Sequence, residues 1–100
     1  MTKTTKKFTI TEHAYERAKE RLSWRRKTLN RMAKKAFYGG LKHKDTKGKL
    51  NKYISNLYLQ YRTANNIRIY GENVYFFTDC HLITLYRMPQ ELIKYLKYCR

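Results

Sequence analysis

The sequence predicts an α+β fold, in which N-terminal helices pack on a C-terminal three-stranded antiparallel meander with a closing helix. Two patterns predict this fold: a helical apolar stripe over residues 29–37, and aromatic and β-branched runs over residues 67–87. One hundred residues fit a single domain with a modest core. We expect residues 8–100 to form this domain, and we expect residues 1–7, which lack periodicity, to be a flexible basic arm.

The first predicted helix begins at Thr11. Its hydroxyl can accept hydrogen bonds from the first free amides of a helix, and Glu12 complements the positive helix end. Ala14, Ala18 and Leu22 follow one another at i, i+4 spacing. This spacing predicts a narrow buried face.

The second predicted helix is the most regular element in the sequence. We expect Ser23 to cap its start and Gly39-Gly40 to end it near Tyr38, because glycine takes the left-handed conformation without penalty. Its buried stripe has i, i+3, i+4, i+7, i+8 spacing and consists of Leu29, Met32, Ala33, Ala36 and Phe37.

The middle of the chain is less clearly patterned. We predict a polar basic loop over residues 41–49 and a turn at Asn65-Asn66. The apolar residues of segment 50–62 fit a helix and nearly fit a strand. We interpret the segment as a helix, because its helical stripe has no polar interruption.

Residues 67–87 predict the meander. Strands are expected at 67–70, 73–78 and 81–87, with turns at Gly71-Glu72 and Asp79-Cys80 between them. The central strand alternates between two apolar faces, so we expect both faces of the sheet to be buried.

Pro89 fits the first position of the closing helix, residues 89–98. Three apolar side chains of that helix should pack on the sheet, namely Leu92, Ile93 and Leu96.

The positive charge is concentrated in the first half of the chain. The first 52 residues contain 17 lysines and arginines against four acids, which leaves +13 of the total of +16. A one-sided field of this sign raises the local concentration of polyanions, and nucleic acid is the most abundant of these. An anionic membrane surface or an acidic protein is the alternative partner.

Other partners and compartments are constrained by composition. No run of 18 apolar residues is present, so no membrane span is expected. The start of the chain has no apolar segment typical of a secretory signal. We therefore expect a cytoplasmic protein, in which Cys80 and Cys99 are free thiols.

The second helix gives the strongest functional signal. A row of cations with helical spacing can follow a phosphate backbone, and an aromatic ring nearby can stack on an unpaired base. The row lies opposite the apolar stripe, and no acid occurs between Arg21 and Lys44. An ordinary solvated face is the alternative. The candidate nucleic-acid-binding residues are Lys27, Arg31, Lys34 and Tyr38, flanking Arg26 and Lys35, and the loop lysines Lys42, Lys44, Lys47 and Lys49.

The first helix carries a candidate catalytic set, His13, Arg17 and Arg21, at four-residue spacing. RNA cleavage without a metal needs a base for the 2′-hydroxyl, an acid for the leaving 5′-oxygen and a cation for the charged transition state. Ordinary ion pairs between these arginines and the glutamates of the same helix are the alternative.

Several chemistries lack their motifs. The histidines and cysteines do not have paired metal-ligand spacing, and neither a phosphate-binding glycine loop nor a nucleophile elbow is present. We therefore expect no metal and no cofactor.

Two resemblances extend this reading. The segments HAYERAKER, KAFYGG, GKLNKY and ANNIRIYG resemble an uncharacterised group of small basic proteins from phages and mobile elements of Gram-positive bacteria. The order His13, Arg17, Arg21 before a hairpin-rich sheet resembles, more distantly, the barnase–colicin–RelE-like RNase and toxin superfamily. That resemblance implies metal-independent RNA cleavage, with Thr84 or Tyr86 as a further site residue.

Three functional hypotheses follow. The first is a small basic phage or mobile-element protein that binds nucleic acid, RNA more than DNA, through the second helix and the loop at residues 42–49. The second is a metal-independent endoribonuclease of toxin type centred on His13. The third is an inhibitor that docks on a host protein that handles nucleic acid.

Overall fold

The computed structural model describes residues 8–99; the arm predicted at residues 1–7 lies outside them. The elements, in chain order, are β1 (Thr9–Ile10), α1 (Glu12–Leu22), α2 (Arg26–Gly39), a 3-10 turn (His43–Asp45), α3 (Gly48–Gln60), β2 (Asn66–Tyr70), β3 (Asn73–Thr78), β4 (His81–Arg87), α4 (Gln90–Ile93) and a 3-10 helix (Lys94–Tyr98).

The sheet has four strands in the order β1-β4-β3-β2. Strands β2, β3 and β4 form the predicted antiparallel meander. The prediction missed β1, which pairs in parallel with the start of β4 through Thr9 and Ile10. Two residues are too few for a period of two to be recognised in the sequence.

Helices cover both faces of the sheet, as the alternation in the central strand predicted. Tyr75 and Phe77 of β3 pack in one core with α1 and α2. Val74 and Phe76 pack in a second core with α3 and the C-terminal helical segment. The layer order is therefore helices, sheet, helices, with β3 buried along almost its whole length.

The predicted role of Ser23 is wrong. Ser23 ends α1 in the left-handed conformation (φ 58°), and its amide donates to the carbonyl oxygens of Ala18 and Lys19. Helix α2 begins three residues later, at Arg26, with no side-chain cap on Arg25. Thr11, in contrast, caps α1 as predicted by accepting a hydrogen bond from the Ala14 amide.

The middle segment is helical, as we interpreted it, but α3 starts earlier than expected, at Gly48. The predicted loop before it is correspondingly more ordered. Leu41 exchanges two backbone hydrogen bonds with Ile69 of β2, and His43–Asp45 forms a 3-10 turn. Asn66 belongs to β2 rather than to a turn.

The closing helix is present in altered form. It consists of the single α-turn α4 and the following 3-10 helix, and Pro89 is the residue before the first turn rather than its first position. Leu92, Ile93 and Leu96 pack against the second core, as predicted.

Candidate nucleic-acid interface and clefts

The exposed face of α2 carries the predicted row of cations. Lys27, Arg31 and Lys34 are exposed, and the opposite face buries Leu29 and Ala33 completely. Residues 8–99 form three ion pairs, Arg17–Glu20, Arg26–Glu12 and Arg87–Glu72, and none of them involves this row. We call Lys27, Arg31 and Lys34 the α2 row.

Two further candidates, Arg26 and Tyr38, make contacts within the fold. Arg26 donates to both carboxylate oxygens of Glu12, at 3.1 and 3.0 Å, so its charge is offset. This contact lowers the pKa of Glu12, through the hydrogen bond first and the charge of Arg26 second. Tyr38 packs edge-to-face on Phe37 and Phe8, yet 55% of its surface remains exposed.

The loop lysines extend from an ordered scaffold. Lys42, Lys44, Lys47 and Lys49 are exposed, as is Lys35 on α2. Beneath the lysines, the Nδ2 of Asn51 donates to the carbonyl oxygens of His43 and Thr46, and the Nε2 of His43 lies 2.8 Å from the hydroxyl of Ser55.

A cleft of about 270 Å³ lies at the edge of β4, between α1 and the end of α3. Strand β1 covers this edge only as far as Leu82, whose carbonyl oxygen accepts from the amide and the hydroxyl of Thr11. Past Leu82 the edge of β4 is not paired with any strand in residues 8–99. We call this the edge cleft; it is lined by His13, Arg17, Arg21, Tyr61, Ile83, Thr84 and Tyr86.

A β-bulge in β4 shapes the edge cleft. Phe77 pairs with Leu82 and Phe76 with Thr84, which leaves Ile83 as the extra residue. The bulge directs both Leu82 and Leu85 into the core under α1, and Ile83 and Thr84 line the cleft. Bulges commonly redirect side chains next to functional sites in this way.

Arg21 joins α1 to the open strand edge. Its Nη1 donates to the hydroxyl of Thr84 and to the carbonyl oxygen of Leu85, both at 3.1 Å. Its guanidinium carbon lies 4.0 Å from the ring centroid of Tyr86. Arg21 therefore satisfies a strand edge that would otherwise present a free carbonyl group.

Two tyrosines form the far wall of the edge cleft. The hydroxyl of Tyr61 donates to that of Tyr86 over 3.3 Å. This hydrogen bond raises the pKa of Tyr61, and partial burial raises it further. Tyr61 was not predicted as a site residue, because its place among the apolar residues of segment 50–62 indicated only core packing.

The other two candidates on α1 also face this cleft. His13 is exposed, and Arg17 donates to Glu20 over 2.8 Å. Of the possible ion pairs between the arginines and glutamates of α1, Arg17–Glu20 is the one that forms in the described residues. The structure thus brings together His13, Arg17 and Arg21 with Thr84 and Tyr86.

A larger cleft of about 570 Å³ lies on the opposite flank of α1, between α1 and the start of α2. We call it the interhelical cleft. Its aromatic residues are Tyr15 and Trp24, and its charged residues are Glu12, Glu16, Lys19, Arg25 and Arg26. This cleft was not predicted, because it is lined by residues of two helices and of the connection between them, and helical spacing describes one helix at a time.

Neither a metal cluster nor a membrane-spanning helix was found in residues 8–99. No three histidine, cysteine, aspartate or glutamate side chains there are grouped so that they could hold a metal ion. Within the same residues, each helix is too short or too polar to cross a bilayer.

No family model, no curated protein and no solved structure matches this chain.

Proposed function

We propose that the chain is a small RNA-binding protein whose footprint is the α2 row, with the exposed lysines of residues 42–49 extending it. One observation carries the proposal: Lys27, Arg31 and Lys34 are exposed on one helix face and form no ion pair in the described residues. Solvated faces usually intersperse both signs of charge, and this face does not. Unpaired cations in a row suit consecutive phosphates.

Exposed aromatic surface supports RNA over duplex DNA. Tyr38 ends the same helix, and its half-exposed ring can stack on a base. Stacking requires bases that are free of a duplex, which RNA loops and single strands provide. The fold holds the ring in place through Phe37 and Phe8, so little side-chain freedom would be lost on binding.

The test is a charge reversal on α2. Arg31→Glu with Lys34→Glu should weaken binding to all RNA sequences alike. The slope of log affinity against log salt should become less negative by about 1.4–1.8, since each lost phosphate contact removes about 0.7–0.9 from its magnitude.

Arg62→Glu with Lys97→Glu provides the matched control, because both residues are exposed and the net charge changes equally. If the two double variants bind RNA with the same affinity and salt slope, binding follows net charge and the α2 row is not the footprint.

A second function, metal-independent RNA cleavage, is favoured by the edge cleft. The cleft groups an imidazole, two guanidinium groups and a pair of phenol hydroxyls. In this scheme His13 takes the proton of the 2′-hydroxyl, whose oxygen attacks phosphorus. The bond from phosphorus to the 5′-oxygen breaks, and Tyr86 supplies a proton to that oxygen. Arg17 and Arg21 stabilise the added negative charge.

The products would be a 2′,3′-cyclic phosphate and a 5′-hydroxyl, formed in the presence of EDTA. His13→Ala should lower the cleavage rate by about 10²–10⁴-fold and leave RNA affinity nearly unchanged. His81→Ala is the control, since His81 is an exposed histidine outside the cleft. If wild-type protein leaves a varied RNA pool intact in EDTA, or His13→Ala cuts at the wild-type rate, the cleft is not catalytic.

A further inference from the structure

The interhelical cleft has a composition that phosphate binding does not explain. The chain has only seven acidic residues against 23 basic ones, yet two of the seven, Glu12 and Glu16, line this cleft. The single tryptophan, Trp24, lines it as well. Carboxylates repel phosphates but accept hydrogen bonds from base edges, so these residues suit a nucleobase better than a nucleic-acid backbone.

One wall of the cleft is held in place before any ligand arrives. The guanidinium carbon of Arg26 lies 3.7 Å from the ring centroid of Tyr15, and Arg26 holds Glu12 by two hydrogen bonds. The hydroxyl of Tyr15 donates in turn to the side-chain oxygen of Asn30 on α2. The wall thus links α1 to α2, and with Trp24 it offers flat surfaces for stacking.

Glu16 differs from Glu12 in having no ion pair in residues 8–99. It lies one helical turn after Glu12, is exposed, and lines the same cleft. Its two carboxylate oxygens are therefore available to a ligand that presents two adjacent N–H donors. Lys19 and Arg25, also exposed and without ion pairs in the described residues, add positive charge for a flanking phosphate.

Among the four RNA bases, guanine matches this arrangement. Its N1–H and exocyclic N2 amine are two donors side by side on one edge, and a carboxylate can accept both. Adenine and cytosine present one amine next to a ring acceptor, and uracil presents one N–H between two carbonyl groups. The cleft volume of about 570 Å³ lies within the range of sites for single small ligands.

We propose that the interhelical cleft binds an unpaired guanine of RNA. Glu16 accepts from its Watson–Crick edge, Trp24 and the Arg26 guanidinium provide stacking surfaces, and Lys19 and Arg25 contact the adjoining phosphate. This proposal rests on the proposed RNA binding and adds a base preference to it.

Trp24 makes the test direct, because it is the only tryptophan and its fluorescence reports on this cleft. Three short labelled oligouridines are compared, with guanosine, inosine or adenosine at one central position. Inosine lacks only the N2 amine. The guanosine RNA should quench Trp24 and bind about tenfold more tightly than the inosine RNA, which is within the discrimination of a two-bond contact to a base edge.

Glu16→Gln should remove the preference for guanosine over inosine. Glu20→Gln should keep it, since Glu20 is an exposed glutamate of the same helix that lies outside this cleft and pairs with Arg17. Each change removes one negative charge, so a general electrostatic effect would act on both variants equally.

The outcomes separate the two proposals. Equal binding of the three RNAs without Trp24 quenching overturns the guanine site and leaves RNA binding intact. An unchanged preference in Glu16→Gln overturns the role of Glu16. Failure of every RNA to bind, measured through the label, overturns the proposed function itself.

Discussion

Replacing Arg21 by alanine should destabilise the fold, and replacing Arg17 should not. The sequence presents these residues as equivalent members of one spaced set, but the structure distinguishes them. Arg21 donates to the hydroxyl of Thr84 and the carbonyl oxygen of Leu85, and its guanidinium covers the ring of Tyr86. Arg17 makes a single ion pair with Glu20 on its own helix.

These contacts determine how much Arg21→Ala should lower the free energy of unfolding. Each hydrogen bond contributes about 0.5–1.5 kcal/mol net, and a cation–π contact at an exposed site contributes about 0.5–1 kcal/mol. Water can replace the guanidinium at a strand edge, so the sum should fall toward its lower end, about 2 kcal/mol. In a domain of this size that lowers Tm by roughly 8–16 °C.

Arg17→Ala is the matched control, because it removes an arginine of the same helix with fewer contacts. Loss of an i, i+3 pair costs about 0.2–0.5 kcal/mol, and the helix propensity of alanine offsets part of it. Urea denaturation followed by circular dichroism gives the free energy of unfolding of both variants. Equal stability of Arg21→Ala and Arg17→Ala would refute a role for Arg21 at the edge of β4.

Three further variants test the end of α2 and the core. Gly40→Ala should destabilise the fold, because an added Cβ would lie 2.6 Å from the carbonyl oxygen of Ala36. At Gly39 an added Cβ would meet no atom within 4 Å, so Gly39→Ala should be neutral or stabilising by up to about 1 kcal/mol. Thermal unfolding compares the two variants, and equal Tm values would contradict the steric explanation. Tyr75→Phe should raise the free energy of unfolding by about 1 kcal/mol, because the Tyr75 hydroxyl is buried without a hydrogen-bond partner. Burial raises the pKa of that hydroxyl, and the Asn73 side chain offsets a smaller part of the rise. A loss of stability in urea denaturation would show that the hydroxyl is satisfied in the native fold.

Elements that bury a long periodic face could be predicted from the sequence. The stripe from Leu29 to Phe37 fixed the buried face of α2, and the alternation through Val74 and Tyr75 predicted a central strand with two buried faces. Both patterns extend over several residues, so each fits either the helical period of 3.6 residues or the strand period of 2, and not both.

Elements set by one residue or by tertiary pairing could not be predicted in this way. A serine before a helix is typical of an N-cap, but Ser23 instead takes a positive φ and ends α1. Strand β1 exists because Thr9 and Ile10 pair with residues 72 positions later in the chain, and nothing local encodes that partner. The bulge at Ile83 depends likewise on the register between two strands.

The candidate sites, too, were predicted only where residues of one helix form them. Helical spacing alone placed His13, Arg17 and Arg21 on a common flank, since residues four apart are neighbours on a helix surface. The other half of the edge cleft comes from Tyr61, 40 residues away from Arg21, and from the bulged strand. The interhelical cleft is lined by residues of α1, of the connection at residues 23–25 and of the start of α2, so the period of a single helix does not predict it.

Helix α1 determines both clefts, because it lies between them. Its buried face consists of the alanines Ala14 and Ala18, which are fully covered and let the helix approach β4 closely. The longer side chains of Tyr15 and Leu22 pack against the same core but stay partly exposed. One flank directs His13, Arg17 and Arg21 to the edge of β4, and the other directs charged and aromatic residues toward α2. The small buried face thus leaves both flanks of the helix lining a cleft. One flank contributes the cations Arg17 and Arg21, and the other contributes the carboxylates of Glu12 and Glu16 beside Lys19.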